Sequence, residues 1–162
     1  LHRASSTDAL LLAYVLASPN FSPYDTLVVD TGADTGIFPG AKVIVDGGFV
    51  VGTITEVLPS SAIAQLYSSP GVTKHVIVGS SRIPAVAHGV GGGNYRIELP
   101  KNTDIAEGDE VRVQGSVEEF LGVVERVLVD EKTGITTLYL RLPVNMTELD
   151  SVIIDLAPVS YE

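Results

Sequence analysis

Residues 24–57, YDTLVVDTGADTGIFPGAKVIVDGGFVVGTITEV, decide the fold. Thr26, Leu27, Val28 and Val29 are β-branched or apolar, the types that suit a pleated and half-buried surface, and they predict a strand over 26–30. Gly32, Gly36 and Gly40 follow, with Pro39 before the last of them. Helices tolerate neither that density of glycine nor the proline, so 31–40 is a loop. Asp46-Gly47-Gly48 lies between two valine-rich runs. Glycine supplies the positive φ of a tight hairpin turn, so strands at 41–45 and 49–57 are expected to pair as a hairpin.

The same signals extend outward. Residues 9–17 carry Leu, Tyr and Val and end at the turn cluster Ser18-Pro19-Asn20-Phe21-Ser22-Pro23, which fits a strand better than a helix. Further strands are expected at 62–67, 74–78, 83–88, 94–99, 110–114, 121–130, 135–142 and 151–156. Residues 89–93 hold Gly89, Gly91, Gly92 and Gly93, which predicts irregular chain unless other residues pin it. One helical turn is expected near 146–149. About a dozen short strands with turns every 8–12 residues or so define an all-β sandwich or barrel.

Composition sets the outer bounds. The 162 residues suit one ordinary domain or two very small ones. Twenty Asp and Glu face ten Lys and Arg, for a net charge of −10. That balance excludes nucleic acid, whose phosphates need a basic surface, and a polybasic membrane patch. With no cysteine there is no disulfide framework and no thiolate metal site. The apolar run at 9–17 is about half a membrane span. The chain begins with Leu, as a piece trimmed from a longer protein would, and 1–8 reads as the frayed stub of whatever precedes the domain.

An internal repeat organises the strands. PGAKVIV at 39–45 is echoed by EGDEVRV at 107–113. Each is followed by a glycine turn and a longer strand, VGTITEV at 51–57 and LGVVERV at 121–127. Two similar small β-units are the direct reading; chance likeness of two hairpins is the other.

Here the chain resembles a known family. An apolar strand ending in Asp (Leu27 to Asp30), a turn from Gly32 to Gly36, Gly40 to Val43, Gly47-Gly48 and the run Val51 to Val57 stand in the order and spacing of the extracytoplasmic domain of the MreC family, bacterial rod shape-determining proteins. The likeness continues through LYSSPG at 66–71, GDEV at 108–111, GVVERV at 122–127 and Pro143-Val144-Asn145. One segment departs from the family pattern. Residues 114–122, QGSVEEFLG, are shorter and more acidic than the glycine-rich Phe-Pro-x-Gly segment usual there.

The resemblance implies an all-β fold of two small tandem β-barrels of short, mostly antiparallel strands. The first is expected over 9–72 and the second over 73–157, with the last strands free to return to the first and 158–162 a tail. It implies no catalysis and no cofactor. The expected role is a scaffold of the cell-elongation machinery that maintains rod shape by self-associating, as a dimer or filament, and by organising peptidoglycan-synthesis enzymes. Its implied partners are the class B penicillin-binding transpeptidase and, through the full-length protein, MreD, RodA and MreB. The implied place is the extracytoplasmic face of the inner membrane, anchored by an N-terminal helix that lies outside this sequence.

The rival reading is an enzyme. Asp30-Thr31-Gly32 after an apolar strand matches the motif of retroviral-type aspartic proteases, in which two carboxylates share a proton and a homodimer supplies the second. The plain alternative is an Asp that caps a turn by accepting backbone N–H bonds. His2, His75 and His88 share no ligand spacing with carboxylates. For partner contacts, apolar residues at expected loop tips are the candidates: Phe21, Phe38 and Phe120. Phe120 with Leu121, beside Glu118 and Glu119, has the pattern of a small hot spot with a polar rim.

Overall fold

The computed structural model describes residues 9–19, 25–115 and 117–157. They form twelve strands: β1 (Leu10–Ala17), β2 (Thr26–Val29), β3 (Lys42–Val45), β4 (Phe49–Val57), β5 (Ala62–Leu66), β6 (Thr73–Val78), β7 (Ile83–Gly91), β8 (Asn94–Pro100), β9 (Glu110–Val113), β10 (Glu119–Asp130), β11 (Ile135–Arg141) and β12 (Ser151–Asp155). Helical structure enters as short 3-10 turns at Ala33–Thr35 and Met146–Glu148. The all-β fold expected from the sequence is therefore the fold observed.

The chain divides into two compact units, Leu1–Leu66 with Val144–Glu162, and Tyr67–Pro143. The sequence placed the division between 72 and 73. In the structure residues 67–72 group with the second unit, and β12 pairs with β1 and β3 of the first.

Each unit is a closed barrel of six antiparallel strands. In the first, β3 pairs with β4, β4 with β5, β5 with β2, β2 with β1, β1 with β12, and β12 with β3. In the second, the same circuit runs β9, β10, β11, β8, β7, β6 and back to β9. Closure removes the free edges at which open sheets aggregate. Small and branched side chains fill each interior: Ala13, Leu27, Val43 and Ile154 in one, Val78, Ile97, Leu121 and Leu138 in the other, all with no exposed surface. Burying each Leu or Ile contributes about 1.5–3 kcal/mol.

The repeat seen in the sequence is a repeat of geometry. The Gly40 amide donates to the Ile54 carbonyl (2.7 Å) and the Ile54 amide to the Ala41 carbonyl (2.8 Å); Gly108, Val124 and Asp109 reproduce the pair at 2.8 and 2.8 Å. Val43 faces Gly52 as Val111 faces Gly122, with a bulge beside each pair. The glycines are demanded by a close approach. A Cβ on Gly52 would lie 2.2 Å from the Gln65 carbonyl oxygen, and one on Gly122 would lie 2.9 Å from that of Arg141. The two circuits differ in where the chain enters. The strand between β7 and β9 is β6, the first of its unit, whereas its counterpart between β1 and β3 is β12, the last of the chain. The barrels are thus circular permutations of one design.

One local expectation turned on its condition, that the glycines be pinned. The glycine cluster at 89–93 is not irregular, because β7 continues through Gly91 and turns into β8 at Gly92-Gly93. Residues 68–72 pin it: the Gly89 amide donates to the Val72 carbonyl, the Gly91 amide to the Ser68 carbonyl, and the Gly93 amide to the Ser68 hydroxyl. Glycine at 89 is what lets the Ser68-Ser69 backbone approach so closely, since a Cβ there would meet the Ser69 carbonyl oxygen at 2.4 Å.

Candidate interaction surface

Asp30 stands just past the end of β2. Its carboxylate accepts the Tyr14 backbone amide at 2.8 Å, and its own amide donates to the Tyr14 carbonyl at 3.0 Å. This is a capping role, with the side chain continuing the β1–β2 ladder one step past the strand. The Thr31 hydroxyl is buried and has no hydrogen-bond partner among the described residues. Gly32 is buried against the 58–61 turn, where a Cβ would fall 2.2 Å from the Leu58 carbonyl oxygen. Small size explains that glycine without any chemistry. Among the described residues no group of three His, Cys, Asp or Glu is placed to hold a metal ion.

The apolar pair read at 120–121 is split by the pleat. Strand β10 begins at Glu119, two residues earlier than expected, so Phe120 sits in a strand and not at a loop tip. Leu121 then points inward and has no exposed surface, which removes it as a direct partner contact. Its counterpart in the repeat, Val51, is likewise buried. Phe120 remains half-exposed, with the Arg112 guanidinium 4.9 Å above its ring. Cations held over an aromatic face in this way are stabilised by the ring quadrupole. Nearby, Arg82 grips Glu118 through both terminal guanidinium nitrogens, and this contact, with the Arg82 and Arg112 charges, holds the Glu118 carboxyl below its ordinary value. Phe38 is half-buried beside the buried Ile37. Phe21 lies outside the described residues.

Among the described residues, one run of outward apolar side chains is a feature that the sequence reading missed. Along β1 the side chains of Leu10, Leu12, Tyr14 and Leu16 point outward and are 43, 51, 57 and 62% exposed. Alternation along a strand sends every second residue to one face, and here Leu10, Leu12, Tyr14 and Leu16 take the outer one while Ala13, in the set of Leu11 and Val15, takes the core. Leu12 lies opposite Ile153 of β12, and Ile153 opposite Ile44 of β3, both partly exposed, so the stripe widens across three strands. Asp155 stands opposite Leu10, and the Val15 amide is held by the Asp150 carbonyl. A recess of about 410 Å³ at the end of β1 brings Leu16 and Leu149 together with Glu148 and Asp150. The signal was present in LLLAYVLA, whose apolar residues occupy both alternating sets. Such a strand cannot bury all of them inside one barrel.

Two closed six-stranded barrels of one design, with an apolar stripe outside one of them, define a class of tandem β-barrel proteins. The family model "Rod shape-determining protein MreC, barrel core" matches residues 15–155, and the chain belongs to that family. Solved structures agree in fold. MreC from Pseudomonas aeruginosa is 22% identical with a TM-score of 0.76, covering 90% of this chain and 97% of that one. The major periplasmic domain from the cell shape-determining filament MreC, in its orthorhombic form, is 20% identical with a TM-score of 0.65, covering 90% and 93%. The MreC fold in a complex between penicillin-binding protein PBP2 and MreC from Helicobacter pylori is 10% identical with a TM-score of 0.56, covering 91% and 99%. No curated protein matches the chain.

Proposed function

We propose that this chain is the barrel part of a non-enzymatic scaffold that maintains bacterial rod shape by organising peptidoglycan-synthesis enzymes. It works outside the cytoplasmic membrane, where an anchor helix in another part of the protein would hold it. The family match over residues 15–155 carries the reading. The physical features fit it. Closed barrels are rigid, and they leave their outer faces for docking. A contiguous exposed apolar stripe is a surface that a soluble chain keeps for a partner.

The first partner is a class B penicillin-binding transpeptidase, in keeping with the complex of PBP2 and MreC from Helicobacter pylori. Self-association, as a dimer or filament, and contacts with MreD, RodA and MreB through the full-length protein complete the proposed assembly. The test is made in the organism of origin. Depletion of the full-length protein is expected to turn rods into spheres, wild-type protein is expected to restore them, and the purified chain is expected to bind the extracytoplasmic domain of the cognate transpeptidase. Rod-shaped growth without the protein would overturn the reading.

A further inference from the structure

The stripe on β1 has a charge setting that selects its occupant. The first unit of the chain, Leu1–Leu66 with Val144–Glu162, contains ten acidic residues and two basic ones, Arg3 and Lys42. The second unit contains ten acidic and eight basic. The net charges, −8 and −2, add to the −10 of the whole chain, so most of the excess sits on the barrel that carries the stripe. Carboxylates also rim the stripe itself. Asp155 is opposite Leu10 in the ladder, Asp30 is bonded to the Tyr14 amide, and Glu148 and Asp150 share the recess with Leu16.

Strand β1 is paired on both sides, by β12 and β2. An incoming strand therefore has no edge to join there, and an occupant must lie on the face. A second copy docking face to face through this stripe would set one carboxylate rim against another, which like-charge repulsion opposes. An anionic bilayer meets the same obstacle. A surface that alternates apolar and cationic groups satisfies both features. Its apolar ridge covers the leucines, its cations meet the carboxylates, and a guanidinium or ammonium can lie over the exposed Tyr14 ring.

We propose that the outer face of β1, centred on Leu12 and Tyr14, docks a partner protein that presents an apolar ridge flanked by Lys and Arg, and that this face does not pair with itself in a dimer of the chain. Taking a protein as the occupant rests on the scaffold reading above.

The test uses the whole chain and the double variant Leu12→Ser/Tyr14→Ser, whose changes fall on exposed side chains and should leave the melting temperature nearly unchanged. If that variant melts early, Leu16→Ser alone takes its place. The probes are the cognate transpeptidase domain, a helical Leu/Lys peptide of about 18 residues and its Leu/Glu counterpart, and phosphatidylglycerol vesicles. The wild-type chain is expected to bind the transpeptidase domain and the Leu/Lys peptide saturably, and the Leu/Glu peptide not at all. Binding should weaken steeply between about 50 and 500 mM salt and fall at least about tenfold in the variant. Three results overturn the proposal: transpeptidase and Leu/Lys peptide binding that the variant leaves intact, vesicle binding that the variant abolishes, and dimerisation of the chain that the variant abolishes. A stripe that takes the Leu/Lys peptide while the transpeptidase fails to bind anywhere would refute the transpeptidase reading and keep the surface. Transpeptidase binding that ignores the stripe would do the reverse.

Discussion

Asp30 closes the end of β2 onto Tyr14: its carboxylate takes the Tyr14 amide at 2.8 Å and its amide gives to the Tyr14 carbonyl at 3.0 Å. One acidic side chain thereby fixes the backbone at the middle of the exposed apolar stripe. The residue that most suggested a protease's catalytic carboxylate is tied into the ladder of a barrel. Asp30→Asn keeps an oxygen for the Tyr14 amide, so it should cost about 1 kcal/mol or less in urea unfolding. The chain should cleave no peptide before or after the change. Pepstatin-sensitive proteolysis that disappears in the Asn variant would restore the enzyme reading.

The glycines at the repeat should differ in tolerance. Gly52→Ala drives a methyl group to 2.2 Å from the Gln65 carbonyl oxygen, and backbone on both strands must move. Gly122→Ala meets the Arg141 carbonyl at 2.9 Å, a smaller intrusion. Overpacking typically costs about 1–3 kcal/mol, and the Gly52 variant should sit at or above the top of that range. Thermal melts of the two variants side by side decide it; equal losses would mean that the clash is relieved locally.

Neighbouring residues on β10 should behave in opposite ways. Leu121→Ala empties a site inside the second barrel and should cost about 2–5 kcal/mol. Phe120→Ala removes a half-exposed ring beneath Arg112 and should cost far less in stability. If Phe120 contributes to docking, its loss weakens self-association or transpeptidase binding by about 2 kcal/mol. A Phe120 variant that melts early and binds normally once folded would move the contact elsewhere.

Glu118 offers a pH probe of the short acidic segment. The Arg82 hydrogen bonds lower its carboxyl value, so the pair contributes above the ordinary carboxylate range and is lost as pH falls through that lowered value. Both groups face solvent, and the effect on global stability should be small and salt-sensitive. A carboxyl chemical-shift titration should place Glu118 below the ordinary glutamate value and return it towards that value in Arg82→Gln. An unchanged titration would show that the ion pair does not persist in solution.

Tyr67 should stay protonated well into alkali. Burial first, and the Glu119 charge second, push its phenol up to about 12, while Lys74 lies 4.2 Å over its ring. A raised folded value means that stability is intact below the ordinary phenol value of 10.0 and is lost as pH rises through about 12. Ultraviolet titration should show Tyr67 contributing a late ionisation step together with unfolding. Tyr67→Phe should remove that late step.

Much of this protein was legible as sequence. Turn glycines such as Gly47 and Gly48, with positive φ in the structure, punctuate runs of Val, Ile and Thr, so the strands and hairpins could be read locally. The repeat at Gly40 and Gly108 was visible because the same close approach demands the same residues in both barrels. The family pattern could be read because order and spacing survive where identity does not. Three things were decided only in three dimensions. Nothing local tells Ser151–Asp155 to cross back and close the first barrel, because a strand's partners are set by which open edge remains. The inward turn of Leu121 hinged on where β10 begins, since a shift of one residue in a pleated strand exchanges its faces. In LLLAYVLA both alternating sets are apolar, so hydrophobicity could not say which faced out. The narrow interior of a six-stranded barrel took Ala13 and left Leu10, Leu12, Tyr14 and Leu16 to solvent.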